Sequence, residues 1–349
     1  MFLRRAVWVL AAGFALPVLA LVWLAANLGP AEALSQRISF QILTGSTGGT
    51  YFPVGQLIAG LISHPTGVDR CESSNVCGPS GLIMSARTSD GAVANLLAVN
   101  AGRADSGFAQ GDVVADAVSG KGAFLAAGKQ PNVRVIADLF PEDVHLIVAR
   151  NARIASVADL KGKRVSLGVD TSGTSVTVKS ILAAYNIPVW RLKAQHNPVD
   201  FDAQLMQKGG LDAFFLVGGR PVALVTDMLN RGVAKLVPID GKGRDKLLKT
   251  VPSLNADVIP ANTYRGTPAV QTVSVRALWI VNAKTPDNLV YGITRALFDP
   301  ANRIALQGGV RNTNWIRVDN AAQNLPAPLH PGALRFYRET GHAPKPQKI

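Results

Sequence analysis

Two segments rich in glycine, serine and threonine carry the residue types best suited to binding a small molecule. They are residues 44–53, with the sequence TGSTGGTYFP, and residues 170–175, with the sequence DTSGTS. Glycine lets the backbone turn with positive φ and approach a ligand closely, while the hydroxyls donate and accept hydrogen bonds. Neither segment has the spacing of a nucleotide P-loop or of G-x-G-x-x-G, which disfavours a nucleotide cofactor.

Each segment is predicted to lie between a strand and a helix. Ile38–Thr44 and Arg164–Val169 read as strands, and Phe52–Ile62 and Val176–Tyr185 as helices. A helix N-terminus has unpaired N–H groups and the positive end of the helix dipole, so it favours a carboxylate or a phosphate. Together the two loops could bind one anion from both sides. The alternative for either loop alone is an ordinary turn with a capping Ser or Thr.

A third, weaker strand–turn–helix unit follows in the second half of the chain. Ala213–Val217 is predicted as its strand, Gly218 and Gly219 as its turn, and Pro221–Leu229 as its helix. Arg220, directly after the two glycines, could bind a carboxylate with two parallel hydrogen bonds. The repeated alternation predicts an α/β fold with largely parallel sheets, in which ligands bind beyond the carboxyl ends of the strands.

Two apolar runs are predicted to cross between two lobes. They are Val144–Ala149 and Val273–Val281, and a length of 349 residues allows two such lobes. We expect residues 36–145 and 276–349 to form lobe 1 and residues 146–275 to form lobe 2. The crossing strands would then act as the hinge.

The first 33 residues read as a targeting segment. Arg4 and Arg5 precede an apolar run, Ala6–Leu28, and the small-x-small sequence of Ala31–Ala33 follows. An export signal and an uncleaved inner-membrane anchor formed by residues 6–28 both fit this pattern. In either case the positive-inside rule sends everything after Ser35 across the membrane, so we expect a periplasmic protein.

Cysteine and histidine give no indication of a metal site. Cys71 and Cys77 lie close together in a polar loop, which in an exported protein favours a disulfide. The five histidines are far apart, and no H-E-x-x-H spacing occurs. No G-x-S-x-G segment occurs either, so the sequence assigns no catalytic residue.

The net charge of +13 could indicate a nucleic-acid partner, but the pattern of the charges does not. The 36 basic residues are scattered singly against 23 acidic ones, and no nucleic-acid-binding motif is present. A positive field that attracts anions toward a cleft and a merely soluble surface are both compatible with this charge.

The chain resembles the TAXI family of solute receptors of tripartite ATP-independent periplasmic (TRAP) transporters. The resemblance runs in order along the chain after the leader, on TGSTGGTYFPVG at 44–55, SDGAVAN at 89–95, ADS at 104–106, QGD at 110–112, DLKGKRV at 159–165, SGT at 172–174, LDAFF at 211–215, IPANTY at 259–264 and LPAPLHPGA at 325–333. It implies a type II periplasmic-binding-protein fold that closes on a glutamate-like amino acid or a dicarboxylate. It also implies the membrane permease of a TRAP transporter as the partner.

The resemblance also implies which residues bind the ligand. Matched residue by residue, the contacts fall on Ser46, Thr47, Gly49, Thr50, Tyr51, Gln110, Ser172, Gly173, Thr174 and Ser175. Gly218, Gly219 and Arg220 are weaker candidates.

Three functions are compatible with these sequence features. The first is a monomeric receptor, without a cofactor and without enzymatic activity, that binds a small anionic solute by lobe closure. The second is a membrane-tethered ligand sensor, and the third is an enzyme on the same scaffold. An enzyme needs an ionisable group in the cleft, and of the two binding loops only the second carries one, Asp170.

Overall fold

The computed structural model describes residues 37–65, 67–71 and 76–344. The predicted leader, residues 1–33, lies outside the described residues. Among the residues that are described, no helix has both the length and the apolar character needed to cross a membrane. The fold below is that of the compact unit Ser39–Ile349.

This unit is built on one mixed β-sheet. Its strands are β1 (Ile38–Leu43), β2 (Leu82–Arg87), β3 (Ser106–Gln110), β4 (Val133–Ala149), β5 (Arg164–Ser166), β6 (Lys193–Gln195), β7 (Ala213–Gly218), β8 (Ala234–Val237), β9 (Asn255–Ile259) and β10 (Val270–Asn282). The main order is β2-β1-β3-β10-β4-β7-β5-β6, with β8 paired to β4 and β9 to β10. Strands β1 and β3 are parallel, as are β5, β6 and β7. The predicted α/β class is therefore confirmed.

Helices follow most of the strands. They are α1 (Tyr51–Ile62), α2 (Ala92–Asn100), α3 (Gly111–Ser119), α4 (Gly173–Ala184), α5 (Val199–Gln207), α6 (Ala223–Asn230), α7 (Gly241–Thr250), α8 (Asp287–Leu297), α9 (Pro300–Gly308), α10 (Val318–Ala321) and α11 (Pro331–Glu339). Short 3₁₀ turns lie between them, including one at Arg311–Trp315.

The two long strands β4 and β10 cross the whole sheet as an antiparallel pair. One end of β10 pairs with β3 and the other with β9, while the later part of β4 pairs with β7. Both predicted crossing strands are confirmed, but each begins earlier than its apolar run. The acidic residues Asp138, Glu142 and Asp143 interrupt the apolar pattern of β4. For this reason the sequence pattern did not predict the part of the strand before Val144.

Helix α4 begins at Gly173, three residues before the predicted start. Ser172 caps it, because its Oγ accepts a hydrogen bond from the N–H of Ser175 at 3.1 Å. The Gly/Ser/Thr segment that reads as a turn is thus partly the first turn of the helix. A serine cap contributes about 1 kcal/mol to helix stability.

The polar loop after α1 contains the predicted disulfide. Cys71 and Cys77 are bonded, with their Cα atoms 5.3 Å apart. The bond closes a short loop, so the part of its stabilisation that comes from chain entropy is at the lower end of the usual range.

Two helical glycines differ in the space available for a side chain, so the same substitution is expected to have opposite effects on stability at the two positions. A Cβ at Gly332 would lie 2.2 Å from the carbonyl oxygen of Asp287 and 2.8 Å from the N–H of Tyr291, whereas a Cβ at Gly60 would meet nothing within 4 Å. We expect Gly332→Ala to destabilise the protein by about 1–3 kcal/mol, because α11 must move away from α8. Gly60→Ala should stabilise it by about 0.5–1 kcal/mol.

The measurement is urea denaturation of both variants beside the native protein. Equal effects of the two substitutions would contradict the packing of α11 on α8.

Candidate functional site

A cavity of about 120 Å³ lies where the carboxyl ends of the parallel strands meet. The lining residues are Gly45, Ser46, Gly49, Thr50, Tyr51, Ser89, Asp90, Gly91, Ala92, Gln110, Glu142, Gly168, Val169, Ser172, Gly173, Thr174, Asn197, Pro198, Val199, Asp202, Phe215, Leu216 and Val217.

One wall of the cavity is the loop that leads into α1. Tyr51 begins this helix, and its phenol donates a hydrogen bond of 2.7 Å to Oε2 of Glu142 on β4. The Tyr51 ring packs edge-on against Phe108, with 5.5 Å between the ring centroids. The phenol therefore holds the Glu142 carboxyl group in a fixed position at the cavity.

The opposite wall is the N-terminus of α4. Gln110, at the end of β3, lies directly against Gly173, where a Cβ would come within 1.3 Å of the Gln110 Oε1 atom. This Oε1 is buried and has no hydrogen-bond partner among the described residues. Because an amide oxygen can only accept, this atom needs a donor that the described residues do not supply.

Direct hydrogen bonds join the two walls outside the cavity. The N–H groups of Val93 and Ala94, in the first turn of α2, donate to the carbonyl oxygen of Thr171 at 3.1 and 3.2 Å. The Thr171 hydroxyl donates to Asp90 at 3.1 Å. The N-terminus of α2 is thus used for contact between the walls, which leaves those of α1 and α4 to face the cavity.

A second set of contacts closes the other sides. Thr177 of α4 donates to Oδ2 of the buried Asp112 on α3 at 2.9 Å. Thr47 donates to Asp200 at 3.4 Å. These hydrogen bonds therefore join the two halves of the cleft on further sides of the cavity.

Eight of the thirteen predicted ligand residues line this cavity. They are Ser46, Gly49, Thr50, Tyr51, Gln110, Ser172, Gly173 and Thr174. The structure thus brings residues near 47 and residues near 173 together around one space, as the two-loop hypothesis requires.

The other five predicted residues lie beside the cavity without lining it. They are Thr47, Ser175, Gly218, Gly219 and Arg220. Thr47 contacts Asp200 instead, and Ser175 is fully buried. Arg220 pairs with the buried Asp143 and lies 3.4 Å from Asp257, so its charge is used within the hinge region.

The lining includes three carboxyl groups that sequence reasoning did not assign to the site: Asp90, Glu142 and Asp202. Of the lining residues, all of which the structure describes, none is Lys, Arg or His. One signal was available for Glu142, because an acidic residue inside a mostly apolar strand is rarely buried without a reason. Arg276 pairs with Asp138 through Nε at 2.7 Å and does not line the cavity, but its charge lowers the pKa of Glu142 and so offsets part of the effect of burial.

Burial raises the pKa values of two of these acids, Glu142 and Asp202. It raises the pKa of Glu142 well above its usual value, although the hydrogen bond from Tyr51 opposes this effect. Burial also raises the pKa of Asp202 to about 6. A cationic group of a ligand would favour the ionised form of both acids and lower their pKa values.

Comparison with known proteins gives a family and a fold. A family model described as the NMT1-like family matches residues 42–341. The structure of MatC from Rhodopseudomonas palustris with bound malate aligns with a TM-score of 0.51 at 14% identity, covering 87% of this chain and 96% of that chain. The alkanesulfonate-binding protein SsuA from Xanthomonas axonopodis pv. citri bound to MOPS aligns with a TM-score of 0.45 at 14% identity, covering 88% and 94%. The fold is the two-lobed fold of periplasmic binding proteins, as predicted.

Asp112 yields a prediction about pH. Burial raises its pKa to about 6, while an unfolded aspartate titrates near 3.9. The buried carboxyl group therefore costs no stability below about pH 4, where it is protonated in both states, and its cost grows until about pH 6. Asp112→Asn removes that cost and can keep hydrogen bonds to Val113 and Thr177.

We expect the stability difference between Asp112→Asn and the native protein to shift in favour of the variant by up to about 3 kcal/mol between pH 4 and pH 7. Urea denaturation at several pH values measures it, with the exposed Asp227→Asn as the control. A difference that does not change with pH would contradict the burial of an ionisable Asp112.

Proposed function

This chain belongs to the NMT1-like family, and we propose that it is an extracytoplasmic solute receptor that closes its two lobes on a small carboxylate-bearing metabolite. The observation that carries the proposal is the cavity between Ser46–Tyr51 and Ser172–Thr174, lined by hydroxyls and the ends of two helices. Closure replaces the hydration shell of the ligand by fixed donors, so the ligand stabilises the closed state.

The charge of the lining supports an amino acid over a dicarboxylate. The N-termini of α1 and α4 suit a carboxylate, as the sequence suggested. Glu142 and Asp202 are acidic, and no cation among the lining residues neutralises them. A ligand with both a carboxylate and an ammonium group satisfies both parts of the cavity. A dianion offers these two acids no cation, and burial, which raises their pKa values, then keeps them in the protonated form.

We further propose the lobe boundaries given above, 36–145 with 276–349 for lobe 1 and 146–275 for lobe 2. The separation of the buried cores supports them. One core combines residues of the first part of the chain with Leu278, Ile280 and Ala327 from its end. Two other cores draw only on residues between Val144 and Val275.

A receptor that serves transport also needs a membrane permease as its partner, and the proposal includes one. The resemblance to the TAXI family supports a TRAP-type permease as the acceptor of the ligand, and the predicted leader supports a periplasmic location. Lobe closure gives a permease a means of distinguishing the loaded receptor from the empty one, since the two differ in the surface that they present.

The experiment compares two ligands that differ at one group. L-glutamate carries an ammonium group where 2-oxoglutarate carries a carbonyl group. We expect the native protein to bind L-glutamate with a clear increase in thermal stability and to bind 2-oxoglutarate at least about tenfold more weakly, because breaking a buried charge pair costs 2 kcal/mol or more. Calorimetric titration gives both affinities.

Glu142→Gln provides the matched variant. It keeps the size of the side chain and removes the charge, so it should weaken L-glutamate binding at least about tenfold and change the affinity for 2-oxoglutarate much less. The exposed Asp227→Asn serves as the control. If neither ligand nor any other small amino acid or dicarboxylate binds the native protein, the proposed function is wrong.

A further inference from the structure

Thr50 occupies the cap position of α1 but does not act as a side-chain cap. A capping threonine usually accepts a hydrogen bond from an N–H group in the first turn of its helix. Position N3 of α1 is Pro53, which has no N–H group, and the Thr50 side chain makes no capping hydrogen bond. The Thr50 hydroxyl is therefore available for another partner.

That partner is the backbone of Gly219. The Gly219 N–H donates to Thr50 Oγ1 at 3.1 Å, and the bond is buried. No hydrogen bond from the Thr50 hydroxyl to an acceptor is found among the described residues, although Thr50 is only 6% exposed and lines the cavity. Because the N–H of Gly219 occupies one lone pair of Oγ1, the hydroxyl hydrogen is left to donate to a ligand.

Asn312, from the 3₁₀ turn after α9, binds the carbonyl group of Gly219. Its Nδ2 donates to the carbonyl oxygen of Gly219 at 2.8 Å, and the side chain is buried. A Cβ at Gly219 would lie 2.6 Å from Nδ2 of Asn312 and 3.1 Å from Phe140. Both backbone polar groups of Gly219 are thus bonded to side chains from distant parts of the chain.

We propose that Asn312 is a positioning residue of the ligand site, which fixes Gly219 so that the Thr50 hydroxyl donates to an oxygen acceptor of the ligand. The inference rests on the proposed function and adds to it a specificity rule. A ligand that places a carboxylate or carbonyl oxygen next to Thr50 is favoured, and one that places an N–H donor there is disfavoured.

The lack of room for a side chain at Gly218 fits the same arrangement. A Cβ at Gly218 would lie 2.8 Å from Thr50 Oγ1. Two consecutive glycines thus allow the backbone to reach a hydroxyl that side chains would block. In this proposal the glycine pair, which the sequence marked as a weak ligand candidate, supports Thr50, and neither glycine lines the cavity.

The test is a double-mutant cycle on L-glutamate affinity, measured by calorimetric titration. Thr50→Val removes the hydroxyl, and Asn312→Asp replaces the donor by an acceptor of the same size. We expect Asn312→Asp to weaken binding about tenfold in the native background and by less than about twofold when Thr50 is already Val, because coupled residues are not additive. Thr50→Ser, which keeps the hydroxyl, should stay within about threefold of native.

Three controls separate the possible outcomes. Asn314→Asp, in the same turn but exposed, should leave the affinity unchanged, and urea denaturation without ligand reports folding. If Asn312→Asp does not fold, Asn312→Ala takes its place in the cycle, with an expected weakening of about three- to tenfold. Equal factors in both backgrounds would overturn the role of Asn312 alone, whereas failure of the native protein to bind would overturn the proposed function and this inference together.

Discussion

Polar groups that are removed from bulk water need hydrogen-bond partners, and this constraint shapes the whole cleft. The two lobes meet through bonds that satisfy the groups around the rim, such as the N–H groups of Val93 and Ala94 on the Thr171 carbonyl oxygen. Inside the rim, the Oε1 of Gln110 has no partner within the described residues. A buried acceptor of this kind costs about 1–3 kcal/mol if it stays unsatisfied.

The same constraint explains the charges of the hinge. Arg220 and Arg276 each pair with an aspartate of β4, Asp143 and Asp138 respectively. Removing either arginine would leave a buried carboxylate without its partner, which is usually far more costly than losing an exposed ion pair. The net positive charge of the chain is therefore not directed into the cavity, where the lining is acidic. Of the two predicted ligand classes, a glutamate-like amino acid therefore fits this distribution better than a dicarboxylate.

Much of the architecture could be predicted because it follows local rules. The glycine-rich loops, the apolar crossing strands and the spacing of the two cysteines each depend on a few neighbouring residues. The parts that could not be predicted depend on residues that are far apart in the chain. Glu142 lines the cavity because β4 continues through a run of acidic residues. Arg220 does not line it, because its side chain pairs with Asp143 and lies close to Asp257.

The role of the two glycines illustrates the same limit. Gly218 and Gly219 resemble the binding loops in sequence, yet neither lines the cavity, and the Gly219 N–H contacts the lining residue Thr50 instead. Only the pairing of β7 with β4 places them there, and no local pattern encodes that pairing. Pro53, by contrast, is a local signal that can be interpreted in retrospect, since a proline at the third helical position removes one of the two N–H groups that Thr50 could cap.

A crystal structure of the protein grown with L-glutamate tests the central claim most directly. The account predicts the ligand between the two loops, with its carboxylate about 3 Å from N–H or hydroxyl donors of Thr50 or of Ser172–Thr174 and its ammonium group on Glu142. Density for the ligand on another surface, with this cavity holding nothing but solvent, would contradict it.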